Sequence, residues 1–183
     1  MKEFLKKNKL IIFLLALLVL WTAVFSFIHP ERLVDELGVN NIYLIVFLLA
    51  VFGGLSTVTG TSFFIAVSAF SIGGADPFLL GIFGGIGIFI SDTIFFLVAK
   101  YGVNKISLEN KRAIWIRDKM SKLPNWIIFP VTYVWLGFTP LPNDLLMIIL
   151  ALSCISYKKI LPVVFAGSIT VVMVTAYLAK LLI

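Results

Sequence analysis

Two aspartates, Asp92 and Asp144, stand inside long apolar stretches of this sequence. A carboxylate at the bilayer centre costs about 2.5 to 3.5 kcal/mol on insertion scales, so such residues usually mark an ion or substrate pathway. For Asp92 two interpretations stay open: coupling of transport to a proton or sodium ion, or a structural hydrogen bond to nearby hydroxyls. Asp144 follows Asn143, and either residue would also cap a helix over 145–152.

Each of two apolar stretches, 42–72 and 126–156, is interrupted near its middle by helix-disrupting residues. Because a membrane core about 30 Å thick needs about 20 helical residues, each stretch is too long for one crossing and too short for two. Gly53–Gly54 and a hydroxyl-rich run interrupt the first stretch, and two prolines interrupt the second. We therefore predict two re-entrant hairpins that turn back inside the membrane.

The two hairpin tips are expected to meet and line a cavity. Broken backbone at membrane depth is tolerated only where it is buried in protein or faces water. The alternative is a pair of kinked spanning helices that pack without a cavity. The residues expected to bind a substrate or ion are Asp92, Asp144, Asn143, Thr59, Gly60, Thr61, Pro140 and Pro142.

The composition favours a membrane protein, with 61% hydrophobic and 13% charged residues, because soluble domains are only about half apolar. The predicted fold class is an all-α integral membrane protein: an inverted repeat of re-entrant hairpin plus transmembrane helix, with an N-terminal transmembrane helix. The predicted segments are transmembrane helices at 10–28, 77–99 and 160–183, hairpins at 42–72 and 126–156, and a basic interfacial linker at 103–125.

A faint trace of this repeat is visible at a constant offset of 80 residues. At that offset Thr59 aligns with Thr139, and Gly87 aligns with Gly167. The equal lengths of the two hairpin stretches are the stronger argument for a repeat.

Basic residues predict the orientation. Four lysines lie within 1–9, and six basic residues lie within 102–125. Cytoplasmic segments carry such excess positive charge, so we expect the N-terminus and this linker in the cytoplasm and the chain in the plasma membrane. The net charge of +6 then serves topology beside anionic lipid, and nucleic-acid binding has no support. Membrane lipids are the expected partners, and a homo-oligomer is left open.

Catalysis and metal binding find little basis in the residue types. The sequence has one histidine, His29, and one cysteine, Cys154. These supply neither a nucleophile with its base nor a metal-ligand cluster. We predict that the chain is not an enzyme and uses no cofactor.

Short motifs in both halves resemble a known family. The first half carries GGADPFLLG at 73–81, Ile90-Ser91-Asp92 and AKYG at 99–102, and the second carries FTPLPND at 138–144 and LSCISYKK at 152–159. Over roughly 42–180 the chain is similar to the DedA superfamily, also called SNARE-associated Golgi or VTT-domain proteins. The resemblance implies two opposed re-entrant hairpins and ion-coupled flipping or scrambling of lipids, including polyprenyl-phosphate carriers.

The chain departs from that family pattern at both hairpin tips. Thr59-Gly60-Thr61 stands where many relatives carry Pro-Gly-Glu, and Gly137 stands where many carry an arginine. Without that cation a buried phosphate would lack a partner, which favours a less charged lipid or another substrate. Our leading hypothesis is a DedA-like transporter or scramblase for a lipid or amphiphile. The alternatives are a proton-coupled exporter of a small cationic solute and a non-transporting membrane assembly protein.

Overall fold

Helices make up nearly all of the part that the computed structural model describes, which is residues 41–54, 57–106, 111–139, 143–153 and 155–181, and no strand occurs there. The all-α prediction is confirmed for these residues, whereas the predicted helix at 10–28 lies outside them. The helices are α1 (Ile42–Gly53), α2 (Thr57–Ile72), α3 (Pro77–Ile106), α4 (Lys111–Ser121), α5 (Asn125–Phe138), α6 (Asn143–Leu152) and α7 (Tyr157–Leu181).

Two of these helices, α3 and α7, are long and apolar enough to cross a membrane. Their apolar spans of 26 and 25 residues correspond to about 39 and 37 Å, against a hydrocarbon core of about 30 Å. At the start of α3 the Asp76 carboxylate accepts a hydrogen bond of 2.7 Å from the Phe78 N–H. This contact satisfies one of the backbone donors that a helix N-terminus leaves unpaired.

The four helices α1, α2, α5 and α6 are too short to cross a membrane core in a straight line. They contain 12, 16, 14 and 10 residues, or about 15 to 24 Å of helix. Helix α1 ends at the Gly53–Gly54 pair. Helix α5 ends at Phe138 because Thr139 is extended, with φ −109° and ψ 141°, the conformation that the following Pro140 favours.

The main helix contacts of the first three helices recur in the last three. Helix α1 packs on α3 as α5 packs on α7, and α2 packs on α7 as α6 packs on α3, while α3 and α7 pack on each other. Exchanging α1, α2 and α3 for α5, α6 and α7 therefore leaves this pattern of neighbours unchanged.

Glycines allow the helix backbones to approach closely at these contacts. A Cβ atom added to Gly87 would lie 2.6 Å from the Phe47 carbonyl oxygen of α1, and one added to Gly167 would lie 2.7 Å from Leu136 Cβ of α5. Gly87 and Gly167, which align in the sequence, thus hold equivalent places between a short helix and a long one. Small residues at such crossings maximise van der Waals contact where no hydrophobic force drives association.

We predict that Gly85→Ala destabilises the protein by about 1 to 3 kcal/mol, the usual cost of overpacking. The added Cβ would lie 2.5 Å from the Ile169 Cα of α7, so the two long helices must move apart. Gly102→Ala is the matched control, since a Cβ there meets nothing within 4 Å and alanine favours helix. Thermal unfolding of the purified protein measures both, and equal midpoints for the two variants would contradict the close α3–α7 contact.

Candidate functional site

A cavity of about 790 Å³ lies beside α3 and is lined by residues on either side of both helix breaks. Its wall is mostly aromatic and aliphatic, with a small set of polar side chains. The described residues that line it are Gly54, Gly60, Thr61, Phe63, Phe64, Ile65, Ser68, Ala69, Ile72, Ile88, Asp92, Leu136, Gly137, Phe138, Thr139, Asn143, Asp144, Val171, Val174 and Thr175. A mostly apolar cavity with a few polar groups is typical of a small-molecule site.

Five of the residues that the sequence proposed for a site line this one cavity. They are Asp92, Asp144, Asn143, Gly60 and Thr61. Thr59 belongs to α2, although its side chain is not among those described. Pro140 and Pro142 lie outside the described residues.

Asp92 is the most unusual group in the cavity wall. Its side chain is 2% exposed, and its Oδ2 atom has no hydrogen-bond partner within the described part of the chain. A buried polar atom without a partner costs about 1 to 3 kcal/mol, so native proteins seldom keep one without a reason. The neighbouring Ser91 Oγ is in the same condition, and it packs where a Cβ on Gly54 would lie, 2.8 Å away.

Asp144 brings a second carboxyl to the same cavity. It lies in the first turn of α6, directly after Asn143, and its charge acts on Asp92. Two acidic side chains that line the same cavity attract a cation to it. The N-terminus of α6 therefore supplies an acidic group and an amide to the cavity.

The part of α3 that carries Asp92 is held on another face by α7. The Thr93 and Tyr157 hydroxyls are hydrogen-bonded at 2.6 Å, and Thr93 Oγ1 also donates to the Phe89 carbonyl at 2.7 Å. Tyr157 stacks on Phe96 with ring centroids 4.3 Å apart. Since Asp92 sits on a continuous helix fixed by these neighbours, its carboxyl is presented to the cavity by a rigid element.

The polar groups of this cavity are few and of three kinds. The wall offers carboxyls, hydroxyls and one side-chain amide, with no histidine or cysteine among its described residues. Within the described ranges no group of three or more His, Cys, Asp or Glu side chains could hold a metal ion. The arrangement can hold a cation or exchange a proton.

Sequence reasoning missed the cavity residues that come from the faces of α2 and α7. Phe63, Ser68 and Thr175 contribute to the wall, yet they stand in helices that are apolar nearly all round. Such helices carry no sequence signal that distinguishes a cavity face from a lipid or core face.

The protein-family models, curated proteins and solved structures compared with this chain include none that matches it. The resemblance to the DedA superfamily therefore stays a prediction from the sequence motifs.

We predict that Asp92→Leu leaves the midpoint of thermal unfolding unchanged or raises it, because it removes a buried acceptor atom that has no partner among the residues the structure describes. Ser71→Ala is the contrasting variant. The buried Ser71 hydroxyl donates to the Ala176 carbonyl at 2.7 Å, so its loss should cost about 0.5 to 1.5 kcal/mol. A fall in stability for Asp92→Leu as large as for Ser71→Ala would instead assign Asp92 a structural hydrogen bond.

Proposed function

We propose that the chain is a multi-pass membrane transporter or scramblase, similar to DedA proteins, that moves a lipid or amphiphilic substrate across the bilayer. The observation that carries this proposal is the cavity that residues on either side of both helix breaks line together with Asp92, whose buried Oδ2 atom has no hydrogen-bond partner among the described residues. Transporters commonly place their sites between broken helices near the bilayer midplane.

The proposed topology has α3 and α7 crossing the membrane and the pairs α1–α2 and α5–α6 as re-entrant hairpins. It is supported by the short lengths of these four helices and by their apolar composition. The exchangeable pattern of helix contacts supports an inverted repeat, in which the two hairpins enter from opposite faces. The segment 10–28 supplies the N-terminal crossing, with the N-terminus in the cytoplasm of a cell whose plasma membrane holds the protein.

Helix α4 fits an interfacial position on the cytoplasmic side. Its Ile114 and Trp115 side chains are exposed, and the Lys119 ammonium lies 5.9 Å from the centroid of the Trp115 ring. Apolar and aromatic groups beside lysines are the pattern of a helix that lies in the headgroup region. In this arrangement α4 joins the two repeats along the membrane surface.

The mechanism proposed for the site divides the work between its polar and apolar parts. The acidic part of the wall holds a coupling proton or sodium ion or the polar end of the substrate, while the Phe- and Ile-rich part accepts hydrocarbon. Movement of the hairpins against α3 and α7 would open the cavity to each side in turn, as in rocking of one repeat against another. The acidic group is then neutralised at each crossing, which lowers the cost of bringing charge to membrane depth.

The proposal predicts that the reconstituted protein moves fluorescent lipid analogues or amphiphiles across liposome membranes. Asp92→Asn should slow this movement roughly tenfold, which corresponds to about 1.4 kcal/mol in the barrier. Asp118→Asn removes the same charge from an exposed position on α4, so it should transport like the unmodified protein. Absence of movement for every lipid class, or equal rates for Asp92→Asn and the unmodified protein, would contradict the proposal.

A further inference from the structure

Four of the described lining residues carry hydroxyl groups, namely Thr61, Ser68, Thr139 and Thr175, and the last three use their proton in the same way. Ser68 Oγ donates to the Phe64 carbonyl at 2.9 Å, Thr139 Oγ1 to Trp135 at 2.6 Å, and Thr175 Oγ1 to Val171 at 2.8 Å. Each hydroxyl has one proton and two lone pairs. Because each of these three hydroxyls donates its single proton within its own helix, it can offer a bound molecule only acceptor lone pairs.

The charged groups in the wall also favour a ligand that donates hydrogen bonds. Asp92 and Asp144 line the cavity, and no lysine, arginine or histidine is present among its described lining residues. An ionised carboxylate only accepts hydrogen bonds. The Asp92 Oδ2 atom, which can accept a hydrogen bond, has no hydrogen-bond partner within the described residues, although the side chain is only 2% exposed.

Helices α2 and α6 both begin beside the cavity, where the dipole of a helix would attract an anion. No acidic residue lies in the first turn of α2, but α6 differs. Its first turn already carries Asp144, and a carboxylate at that place offsets the positive end of the helix dipole. The positive end of the α6 dipole thus already has a negative side chain, Asp144, beside it. The cavity as a whole remains rich in acceptors and acidic groups.

The apolar part of the wall indicates the chemistry and size of the rest of the ligand. Phe63 and Phe64 pack edge to face with ring centroids 5.2 Å apart, and both line the cavity together with Phe138 and Ile88. Aromatic faces attract cations as well as hydrocarbon. A volume of about 790 Å³ lies within the range of about 300 to 1,000 Å³ that holds one drug-sized molecule.

We infer that the cavity binds an amphiphilic ammonium, with the cationic nitrogen at the Asp92 carboxyl and hydrocarbon against the phenylalanines. This inference rests on the transport function proposed above and names its substrate class. Either a lipid with an amine headgroup or a free amphiphilic amine could supply this chemistry. An anionic amphiphile would meet two acidic side chains, Asp92 and Asp144, and three hydroxyls whose protons are already donated within their own helices, so this part of the wall disfavours it.

Calorimetric titration of the full chain in bilayer discs with dodecylammonium and dodecyl phosphate tests this inference. We expect saturable binding of dodecylammonium, a loss of about tenfold or more in affinity for Asp92→Asn, and unchanged affinity for Asp118→Asn. Dodecyl phosphate should give no saturable binding. Competition by a short-chain phosphatidylethanolamine would assign the ammonium to a lipid headgroup, and failure to compete would assign it to a free amphiphilic amine.

Two results would overturn the inference. One is saturable binding of dodecyl phosphate at least as tight as that of dodecylammonium, and the other is equal affinity for dodecylammonium in Asp92→Asn and Asp118→Asn. The proposed function fails separately. Ammonium binding without movement of any amphiphile in liposomes would refute transport and keep the site, whereas movement of anionic amphiphiles alone would keep transport and refute the ammonium class.

Discussion

The burial of Asp92 in an apolar helix is the constraint that organises the rest of the molecule. A carboxyl in that position is costly unless water, an ion or a ligand reaches it, and the Oδ2 atom has no protein partner among the described residues. Residues on either side of the two helix breaks line a cavity together with Asp92, and such access would run through this cavity. A buried carboxyl and interrupted helices can both be accommodated where they border a cavity that water can enter.

The cavity and the closely packed helix contacts beside it are formed by different residues. Gly85 and Gly87 bring α3 against its neighbours at backbone distance, and an interhelical bond of 3.0 Å joins the Tyr133 and Thr170 hydroxyls of α5 and α7. The cavity opens instead where α1 and α5 end and α6 begins. If the walls of the site are to move while Asp92 stays fixed, the long helices must be held rigidly and the short, interrupted helices must be able to shift.

Much of the helical organisation could be predicted from the sequence, because glycine, proline and hydropathy act locally. The end of α1 at Gly53–Gly54 agrees with the low helix propensity of glycine, and the extended Thr139 follows from the steric effect of Pro140 on the residue before it. Asp92 stood out because it is a charge in an apolar run. The apolar pattern predicts a transmembrane segment at 77–99, and the helix that contains it continues to Ile106, since polar residues beyond an apolar span do not themselves end a helix.

The composition of the cavity wall could not be predicted to the same depth. Which faces of α2 and α7 meet the cavity depends on how glycines set the crossing of the long helices, and that is a tertiary effect. The hydroxyls of Ser68 and Thr175 read as ordinary polar residues in the sequence. Because these hydroxyls donate to the preceding turn, they can only accept hydrogen bonds from a ligand. This makes the cavity favour a ligand that donates hydrogen bonds.

The most direct measurement of the central claim is thiol labelling in membrane vesicles with Cys154 replaced by serine. Single cysteines at Thr61 and Asn143, which line the cavity from either break, should both react with a small water-soluble reagent. A cysteine at Val164, which is fully buried in the helix core, should stay unreacted. If the Thr61 and Asn143 positions were as unreactive as Val164, water would not reach the place where the helix breaks meet Asp92, and the account would be wrong.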